Sequence, residues 1–286
     1  MELLTIIKAI ILGLVEGLTE FAPVSSTGHM IIVDDMWLKS QELFGQYTAN
    51  TFKVVIQLGS ILAVVVIFRN RFIDLLGLKR FSRKQLDPVT EELPQLEQGG
   101  HLKLTQVLVG LVPAGVLGVL FNDYIDEHLF STSTVLIGLV IGAILMIIAD
   151  LFGPKKIRTE SVDQITYKQA LGVGLVQCFS LWPGFSRSGS TISGGVLLGM
   201  SHRAAADFTF IMAVPIMAGA SLLSLMKNWQ YFTMDALPFF IAGFISAFLF
   251  ALLSMRFFLK LINRIKLLPF AIYRIILAAV VYFVFF

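Results

Sequence analysis

The chain has 286 residues, of which 56% are hydrophobic and 14% are charged. Soluble domains carry about a quarter charged residues, so this composition excludes a soluble enzyme and a disordered chain. The net charge of +3 does not favour a nucleic-acid partner, because the basic residues flank apolar runs. The single cysteine, Cys178, cannot form a disulfide within the chain. We therefore predict an all-α polytopic membrane protein that forms a single membrane domain over residues 1–286.

Six apolar stretches approach the roughly 20 residues that a helix needs to cross the hydrocarbon core. They cover residues 54–68, 104–121, 129–149, 208–226, 236–255 and 267–286. Two further apolar regions, 3–35 and 169–200, are interrupted by proline, glycine and clustered polar residues. The sequence predicts six transmembrane helices and two re-entrant, broken-helix regions. Lys8 and Glu16 inside the first region argue against a cleaved signal peptide, so we expect Met1 to begin the mature protein.

Basic residues are distributed unevenly between the two faces that this division creates. The loops of the first face are 69–103, 150–168, 201–207 and 256–266. They hold 16 lysines and arginines, whereas the loops of the opposite face hold three. Because cytoplasmic loops carry the excess of basic residues, the first face is predicted to be cytoplasmic and segment 36–53 to lie outside. The polar segment 82–100 is predicted to be a mobile cytoplasmic loop.

An internal repeat relates the two broken regions. A shift of 161 positions aligns residues 13–28 with residues 174–189 without a gap and with five identities in sixteen. Each copy precedes three predicted spans, and an odd number of crossings inverts the second copy. We therefore predict a first inverted repeat over 1–149 and a second over 150–286. Inverted repeats with discontinuous helices place binding sites near the midplane, so the two polar segments should face each other.

Two acids stand at the start of the first polar segment (residues 16–30). Glu16 and Glu20 are four residues apart on a helix, so both carboxylates project from one face. An acid at the bilayer centre costs about 2.5–3.5 kcal/mol, which favours a functional pair, although an interfacial position for Glu16 is the alternative. Paired carboxylates with few other ligands suit Mg²⁺, which takes further oxygens from phosphates, or Ca²⁺.

Hydroxyls and an imidazole follow these acids. Ser26 and His29 are three residues apart, which permits a hydroxyl-to-imidazole contact, the minimum arrangement of an activated nucleophile. His29 can also exchange protons near neutral pH. Ser25 and Thr27 supply further hydroxyls, and helix capping is their alternative role.

The second polar segment (residues 182–195) has the composition of an anion-binding loop. Arg187 is the only charged residue in region 169–200, and its guanidinium offers paired donors to a phosphate. Backbone amides at a helix start add further donors. A structural ion pair with Glu16 or Glu20 is the alternative role of Arg187.

Polar residues elsewhere are assigned ordinary roles. Asp34 is expected on a solvated rim, and Lys53 at the start of the first predicted span is expected to snorkel. Arg274 in the last predicted span is expected to reach an interface or the cavity. Gln57 and Gln177 lie in apolar runs, where hydrogen bonding between helices is the expected role.

Three stretches together resemble the bacterial undecaprenyl-diphosphate phosphatase family, from about residue 5 to the C-terminus. They are EGLTEFAPVSSTGHM at 16–30, VVIQLGSILAVV at 54–65 and WPGFSRSGSTISGG at 182–195. The resemblance implies a bacterial plasma-membrane enzyme that removes the terminal phosphate of undecaprenyl diphosphate. It thereby implies recycling of the lipid carrier for cell-wall synthesis, an effect on bacitracin sensitivity, and a divalent metal.

The family's paired acids fall on Glu16 and Glu20, and its two hydroxyl-rich runs fall on 25–29 and 183–188. Phosphoryl transfer needs charge neutralisation on the phosphoryl oxygens and an in-line nucleophile. The predicted catalytic residues are Glu20, Ser26, His29 and Arg187. The predicted substrate-binding residues are Ser25, Thr27, Gly184, Ser186, Ser188 and Thr191. Glu16 and Glu20 are predicted to bind Mg²⁺ or Ca²⁺, and Ser26 is favoured as the nucleophile over His29 or water.

A transporter or flippase for a polyprenyl phosphate is the main alternative, because broken helices in inverted repeats are common in transporters. The acid pair with a serine and a histidine favours catalysis. We expect a polyprenyl diphosphate lipid as substrate, membrane lipid around the chain, and a cavity open to the outer side of the plasma membrane. A homodimer is the oligomeric state to be tested.

Overall fold

The computed structural model describes residues 3–40, 42, 45–78, 100–129, 131–228 and 236–285. Within these ranges the regular structure is helical, and the strand-like pairing recorded there is one isolated bridge between Thr159 and Met200. The predicted all-α class is therefore confirmed. Apart from Gly100, the predicted loop at 82–100 lies outside the described residues.

The helices follow one another along the chain in two sets. Those of the first half are α1 (Leu3–Thr19), α2 (Ser26–Met30), α3 (Gln46–Ile67), α4 (Arg69–Leu75), α5 (Leu104–Leu120), α6 (Asn122–His128) and α7 (Thr132–Phe152). Those of the second half are α8 (Tyr167–Gln177), α9 (Arg187–Leu197), α10 (His202–Asn228), α11 (Leu237–Ile265) and α12 (Leu268–Phe285). A π-helical segment, Ile31–Leu38, continues α2, and a 3₁₀ turn, Cys178–Leu181, continues α8.

Four of the described helices are long and apolar enough to cross a membrane. These spans are Thr48–Ile67, Thr132–Phe152, His202–Met226 and Leu237–Ile265, and each covers most or all of a predicted span. The predicted spans 104–121 and 267–286 are also helices, α5 and α12, but their apolar stretches are shorter. A multi-pass helical membrane protein is thus confirmed, and both predicted broken regions are interrupted, at residues 20–25 and 182–186.

The first long helix begins earlier than predicted. Because α3 starts at Gln46, Lys53 lies inside the helix, and its Nζ forms an ion pair with Oδ2 of Asp34 at 2.9 Å. Asp34 is fully buried and also accepts hydrogen bonds from the amide and hydroxyl of Ser40. The predicted solvated position of Asp34 is therefore wrong, because its charge is satisfied within the protein.

Each broken helix packs on an apolar helix from the other half of the chain. Helix α1 lies along α11, and α8 lies along α5. Gly13 and Gly17 permit the first contact, since a side chain at either position would overlap the backbone of α11. Gly174 has the same role against Gly110 of α5. Small residues let helix backbones approach closely, which matters in a membrane because lipid removes the hydrophobic driving force for helix association. The same exchange holds elsewhere, because α3 packs on α10 and α7 on α12.

Polar contacts draw the predicted cytoplasmic loops together at one end of the bundle. The contacts are Arg71 to Asp163 at 2.7 Å, His202 to Asp150 at 2.7 Å and the Arg203 amide to Asn263 at 2.9 Å. These pairs involve described residues of 69–103, 150–168, 201–207 and 256–266. The grouping that the charge count predicts therefore agrees with the packing.

Candidate functional site

The helices that resume after each break begin with the same unusual serine. Ser25 has a φ of 71° and Ser186 a φ of 75°, and the two are counterparts in the repeat. The Oγ of Ser25 accepts from the Gly28 amide at 3.3 Å, and the Oγ of Ser186 accepts from the Gly189 amide at 3.2 Å. The capping role considered for Ser25 is therefore confirmed. A positive φ is costly for serine, so the surrounding packing must impose it at both sites.

The two polar segments share one cavity of about 240 Å³. Its lining includes Glu20, Ser25, Ser26 and Thr27 from the first segment and Trp182, Pro183, Gly184, Ser186 and Arg187 from the second. Other lining residues are Gln57, Ala114, Gln177, Ser180, Leu181, Ile216, Met217 and Ala220. The prediction that the two polar segments face each other is thus confirmed.

Glu20 joins the two segments at the cavity wall. Its Oε2 accepts a hydrogen bond from the Ser26 hydroxyl at 2.5 Å, and its Oε1 accepts from Nη2 of Arg187 at 2.8 Å. Both charged side chains are largely buried, with 8% of Glu20 and 14% of Arg187 exposed. The ion pair considered for Arg187 is therefore formed, while its guanidinium still lines the cavity. The site combines a hydroxyl, a proton acceptor and a fixed cation.

Ser188 and Thr191 lie behind this wall. The Ser188 hydroxyl donates to the Ala22 carbonyl at 3.1 Å, which ties α9 to the first polar segment. The Thr191 hydroxyl donates to the Arg187 carbonyl at 2.7 Å and is fully buried. Neither Ser188 nor Thr191 belongs to the described cavity lining. Their placement therefore gives no support to the prediction that they contact the substrate. Gly184 does line the cavity, at a φ of 88° and against Val135, where a side chain would not fit.

The His29 imidazole contacts Ser25 and Tyr273 and forms no hydrogen bond with Ser26. Its Nδ1 lies 2.8 Å from the Ser25 carbonyl oxygen and its Nε2 2.6 Å from the Tyr273 hydroxyl. A carbonyl only accepts, so Nδ1 carries a proton, and Nε2 of the neutral ring then accepts from Tyr273. The predicted Ser26–His29 contact is absent, because the capping turn places the Ser25 carbonyl beside the imidazole and the ring binds that carbonyl. His29 is also absent from the described cavity lining.

Glu16 is buried one helical turn before Glu20. Its side chain is 5% exposed, and its Oε1 has no hydrogen-bond partner among the described residues. A buried carboxylate oxygen without a donor requires a proton or a cation beside it. Within the described ranges no cluster of three or more histidine, cysteine, aspartate or glutamate side chains could hold a metal. A metal held here would therefore take most of its ligands from phosphate and water.

Helix α12 holds both polar segments, which sequence reasoning missed. Arg274 is fully buried, and its Nη2 donates to the carbonyls of Gly184 at 2.9 Å and Phe185 at 2.8 Å. The adjacent Tyr273 holds His29 of the first segment. The prediction that Arg274 reaches an interface or the cavity is wrong, because the guanidinium satisfies carbonyls that the second break leaves unpaired. An arginine within an apolar span indicates a buried partner, but the sequence does not predict which carbonyls it binds.

The fold and the site define a multi-pass helical membrane protein in which two broken helices enclose a polar cavity, with a buried ion pair between Glu20 and Arg187 at its wall. The chain belongs to the bacitracin resistance protein BacA family, whose model matches residues 9–280. This agrees with the family resemblance of the motifs.

Individual relatives match the chain over nearly its whole length. It is 76% identical to the undecaprenyl-diphosphatase of Geobacillus sp. (strain WCH70), with 100% of both chains covered. It is 70% identical to that of Anoxybacillus flavithermus (strain DSM 21510 / WK1), again with full coverage. Identity to that of Bacillus subtilis (strain 168) is 63%, with 98% of each chain covered.

Proposed function

We propose that this chain is a membrane phosphatase that hydrolyses undecaprenyl diphosphate to undecaprenyl phosphate and inorganic phosphate. The observation that carries the proposal is the Glu20 carboxylate held between the Ser26 hydroxyl and Arg187 at the wall of a cavity. The relatives named above, at 63–76% identity, carry the same activity in their names. The reaction returns the lipid carrier to cell-wall synthesis, and the family's bacitracin resistance accords with that role.

Ser26 is the proposed nucleophile. Its hydroxyl proton passes to Oε2 of Glu20, with which it is already hydrogen-bonded, and Oγ attacks the terminal phosphorus. The bond from that phosphorus to the bridging oxygen breaks, and undecaprenyl phosphate leaves. Water then attacks the phosphorus of the phosphoserine and the bond from phosphorus to Oγ breaks. The proton held by Glu20 returns to Oγ and restores the hydroxyl, and the protons of the attacking water leave with inorganic phosphate. Attack by His29 is the alternative, and its absence from the described cavity lining supports Ser26.

Arg187 is proposed to stabilise the charge on the transferred phosphoryl group. One guanidinium nitrogen holds Glu20, and the planar group has further N–H donors for phosphate oxygens. Ser25, Thr27, Gly184 and Ser186 line the same cavity and are proposed to bind the headgroup with it. Donors that are fixed before the reaction stabilise developing charge without reorganisation.

His29 is proposed to act by positioning. Its Nδ1 donates to the Ser25 carbonyl, and its other nitrogen is held by Tyr273 of α12. These contacts fix the turn that presents Ser26 to Glu20. A loss of His29 should therefore reduce activity without removing the nucleophile.

We further propose that Glu16 and Glu20 bind a divalent metal, Mg²⁺ or Ca²⁺. The donor chemistry fits, because Glu16 contributes a buried oxygen that no described residue satisfies, one helical turn from Glu20. When bound, the ion would neutralise charge on the phosphate oxygens. Removal of metal with a chelator should lower the thermal stability of the protein as well as its activity.

The proposed topology has six transmembrane helices and two re-entrant regions in inverted repeats, 1–149 and 150–286. The exchanged packing of α1 on α11 and α8 on α5 supports it, as do the matching serine caps. The cavity is proposed to open to the outer side of the plasma membrane. Its lining residues Ile216, Met217 and Ala220 support this, since they lie in the half of α10 away from the basic-rich end. The homodimer stays a prediction.

Phosphate release from undecaprenyl diphosphate by purified protein in detergent tests the activity. We expect wild-type protein to release phosphate and Ser26→Ala to release almost none while it remains folded. A polyprenyl-phosphate transporter or flippase needs two compartments, whereas hydrolysis needs none. Binding of the lipid without any phosphate release by the wild type would therefore overturn the proposed enzyme and favour transport.

A further inference from the structure

Gln177 is a buried polar residue that the mechanism above does not use. It is the last residue of α8, its side chain is 1% exposed, and it lines the cavity. Neither its Nε2 nor its Oε1 has a hydrogen-bond partner among the described residues. The predicted hydrogen bond between helices is therefore absent. Buried amides are almost always satisfied, so an exception requires an explanation.

Two other buried glutamines show how unusual this is. Nε2 of Gln106 donates to the Ile165 carbonyl, and its Oε1 accepts from the Lys103 amide at 2.7 Å. Gln169 lies on the same helix as Gln177, and its Nε2 donates to the Thr159 hydroxyl at 2.9 Å. The fold thus satisfies comparable amides where their role is structural.

The repeat places a second unpartnered group at the matching position. Gln177 is the counterpart of Glu16 at the offset of 161, and Glu16 also has a buried oxygen without a partner among the described residues. Both residues lie near the end of the helix that precedes a break. They differ in chemistry, because the amide carries donors and no charge, whereas the carboxylate only accepts when ionised.

We propose that Gln177 binds the substrate headgroup, donating from Nε2 to an oxygen of the lipid diphosphate. This inference rests on the proposed function. The N–H donors suit a phosphate oxygen, and Arg187, Ser186 and Gly184 line the same cavity for the rest of the anion. A metal ligand would use Oε1 alone and leave both buried N–H groups unsatisfied. The Nε2 group is therefore a preformed donor that finds its acceptor when the headgroup enters.

Gln177→Met tests this role, because methionine has a similar shape without the amide. We expect KM for undecaprenyl diphosphate to rise about 10- to 100-fold, the loss expected for a hydrogen bond to a charged group. Thermal stability in detergent should stay the same or rise, since an unsatisfied buried group is removed. Gln177→Glu keeps the acceptor and loses the donor, so its KM should rise at least as much. A KM close to that of the wild type in either variant would overturn the proposal.

Gln169→Met is the matched control. It removes a satisfied amide from the same helix, so it should lower thermal stability and leave KM unchanged. If Gln177→Met instead loses stability and keeps its KM, Gln177 is structural and the proposal fails.

Inorganic pyrophosphate separates this proposal from the proposed function. It presents the headgroup chemistry without the lipid, so it should stabilise wild-type protein against heat and stabilise Gln177→Met less. If wild-type protein releases no phosphate from the lipid, the proposed function fails, while this stabilisation still tests Gln177. Equal stabilisation of both proteins, or none of the wild type, overturns the Gln177 proposal.

Discussion

The two polar segments have nearly the same backbone conformation at their serine caps but carry different side chains. Ser25 and Ser186 adopt nearly the same φ and cap their helices through the same contact three residues on. At the next position the first segment carries Ser26 and the second carries Arg187, and both side chains bind one carboxylate, that of Glu20. The same capping geometry, here called the frame, thus occurs in both segments. In the proposed mechanism the side chains that follow make the first segment the nucleophile half and the second the anion-binding half.

Removing the acceptor between the halves should have the largest effect. Glu20→Gln keeps the shape of the side chain but cannot take the Ser26 proton, so kcat should fall by about 10²- to 10⁴-fold. Phosphate release from undecaprenyl diphosphate measures it. The variant also tests the ion pair with Arg187, so thermal stability must be measured alongside. Activity within threefold of the wild type would show that Glu20 does not accept the proton.

A change of cation tests the anion-binding half alone. Arg187→Lys keeps the charge but loses the planar donors, so kcat/KM should fall about 100-fold. The assay is run at saturating divalent metal, so that a lost metal cannot explain the fall. Near-normal turnover of the lysine variant would mean that Arg187 serves only to hold Glu20.

Arg274 tests whether the second frame needs its anchor in α12. Arg274→Met leaves the carbonyls of Gly184 and Phe185 without a donor, and each buried unsatisfied group costs about 1–3 kcal/mol. Thermal unfolding in detergent should show a clear fall in midpoint temperature, with a loss of kcat. Arg256→Met, at an exposed position on α11, is the control and should change neither. Equal stability of the two variants would contradict the anchoring role.

A change at Tyr273, which contacts the first polar segment through His29, should have the smallest effect on kcat. Tyr273→Phe removes only the hydroxyl that meets Nε2 of His29, a neutral hydrogen bond worth about 0.5–1.5 kcal/mol. If His29 positions the Ser26 turn, kcat should fall about 2- to 10-fold in steady-state phosphate release. A fall as large as that of Glu20→Gln would indicate that the Tyr273–His29 pair takes part in proton transfer directly.

The sequence predicted the features that depend on local composition. Apolar length identified the long helices, and proline, glycine and hydroxyl clusters identified both breaks and most of the cavity lining. It failed where a distant helix decides the partner. The bond from His29 spans 244 residues to Tyr273, and Arg274 reaches Phe185 across 89 residues. No pattern within a segment encodes which carbonyl or hydroxyl the last helix brings to it.

The prediction for Gln177 failed because an expected partner is missing from the described part of the chain, not because a distant helix supplies an unexpected one. Its apolar surroundings predicted a hydrogen bond between helices, which is the usual solution for a buried amide. Among the described residues the amide has no partner, and only three-dimensional placement distinguishes it from a satisfied glutamine such as Gln169. Sites that break the local rule are where function is expected.

The central claim, that the first polar segment supplies the nucleophile through Ser26, is tested most directly by trapping the intermediate. Labelled undecaprenyl diphosphate is mixed with excess enzyme in a quenched-flow instrument, and the protein is treated with acid or base. The account predicts an acid-stable, base-labile adduct that Ser26→Ala abolishes. An acid-labile, base-stable adduct would assign the attack to His29, and no adduct in a single turnover would assign it to water; either result contradicts the account.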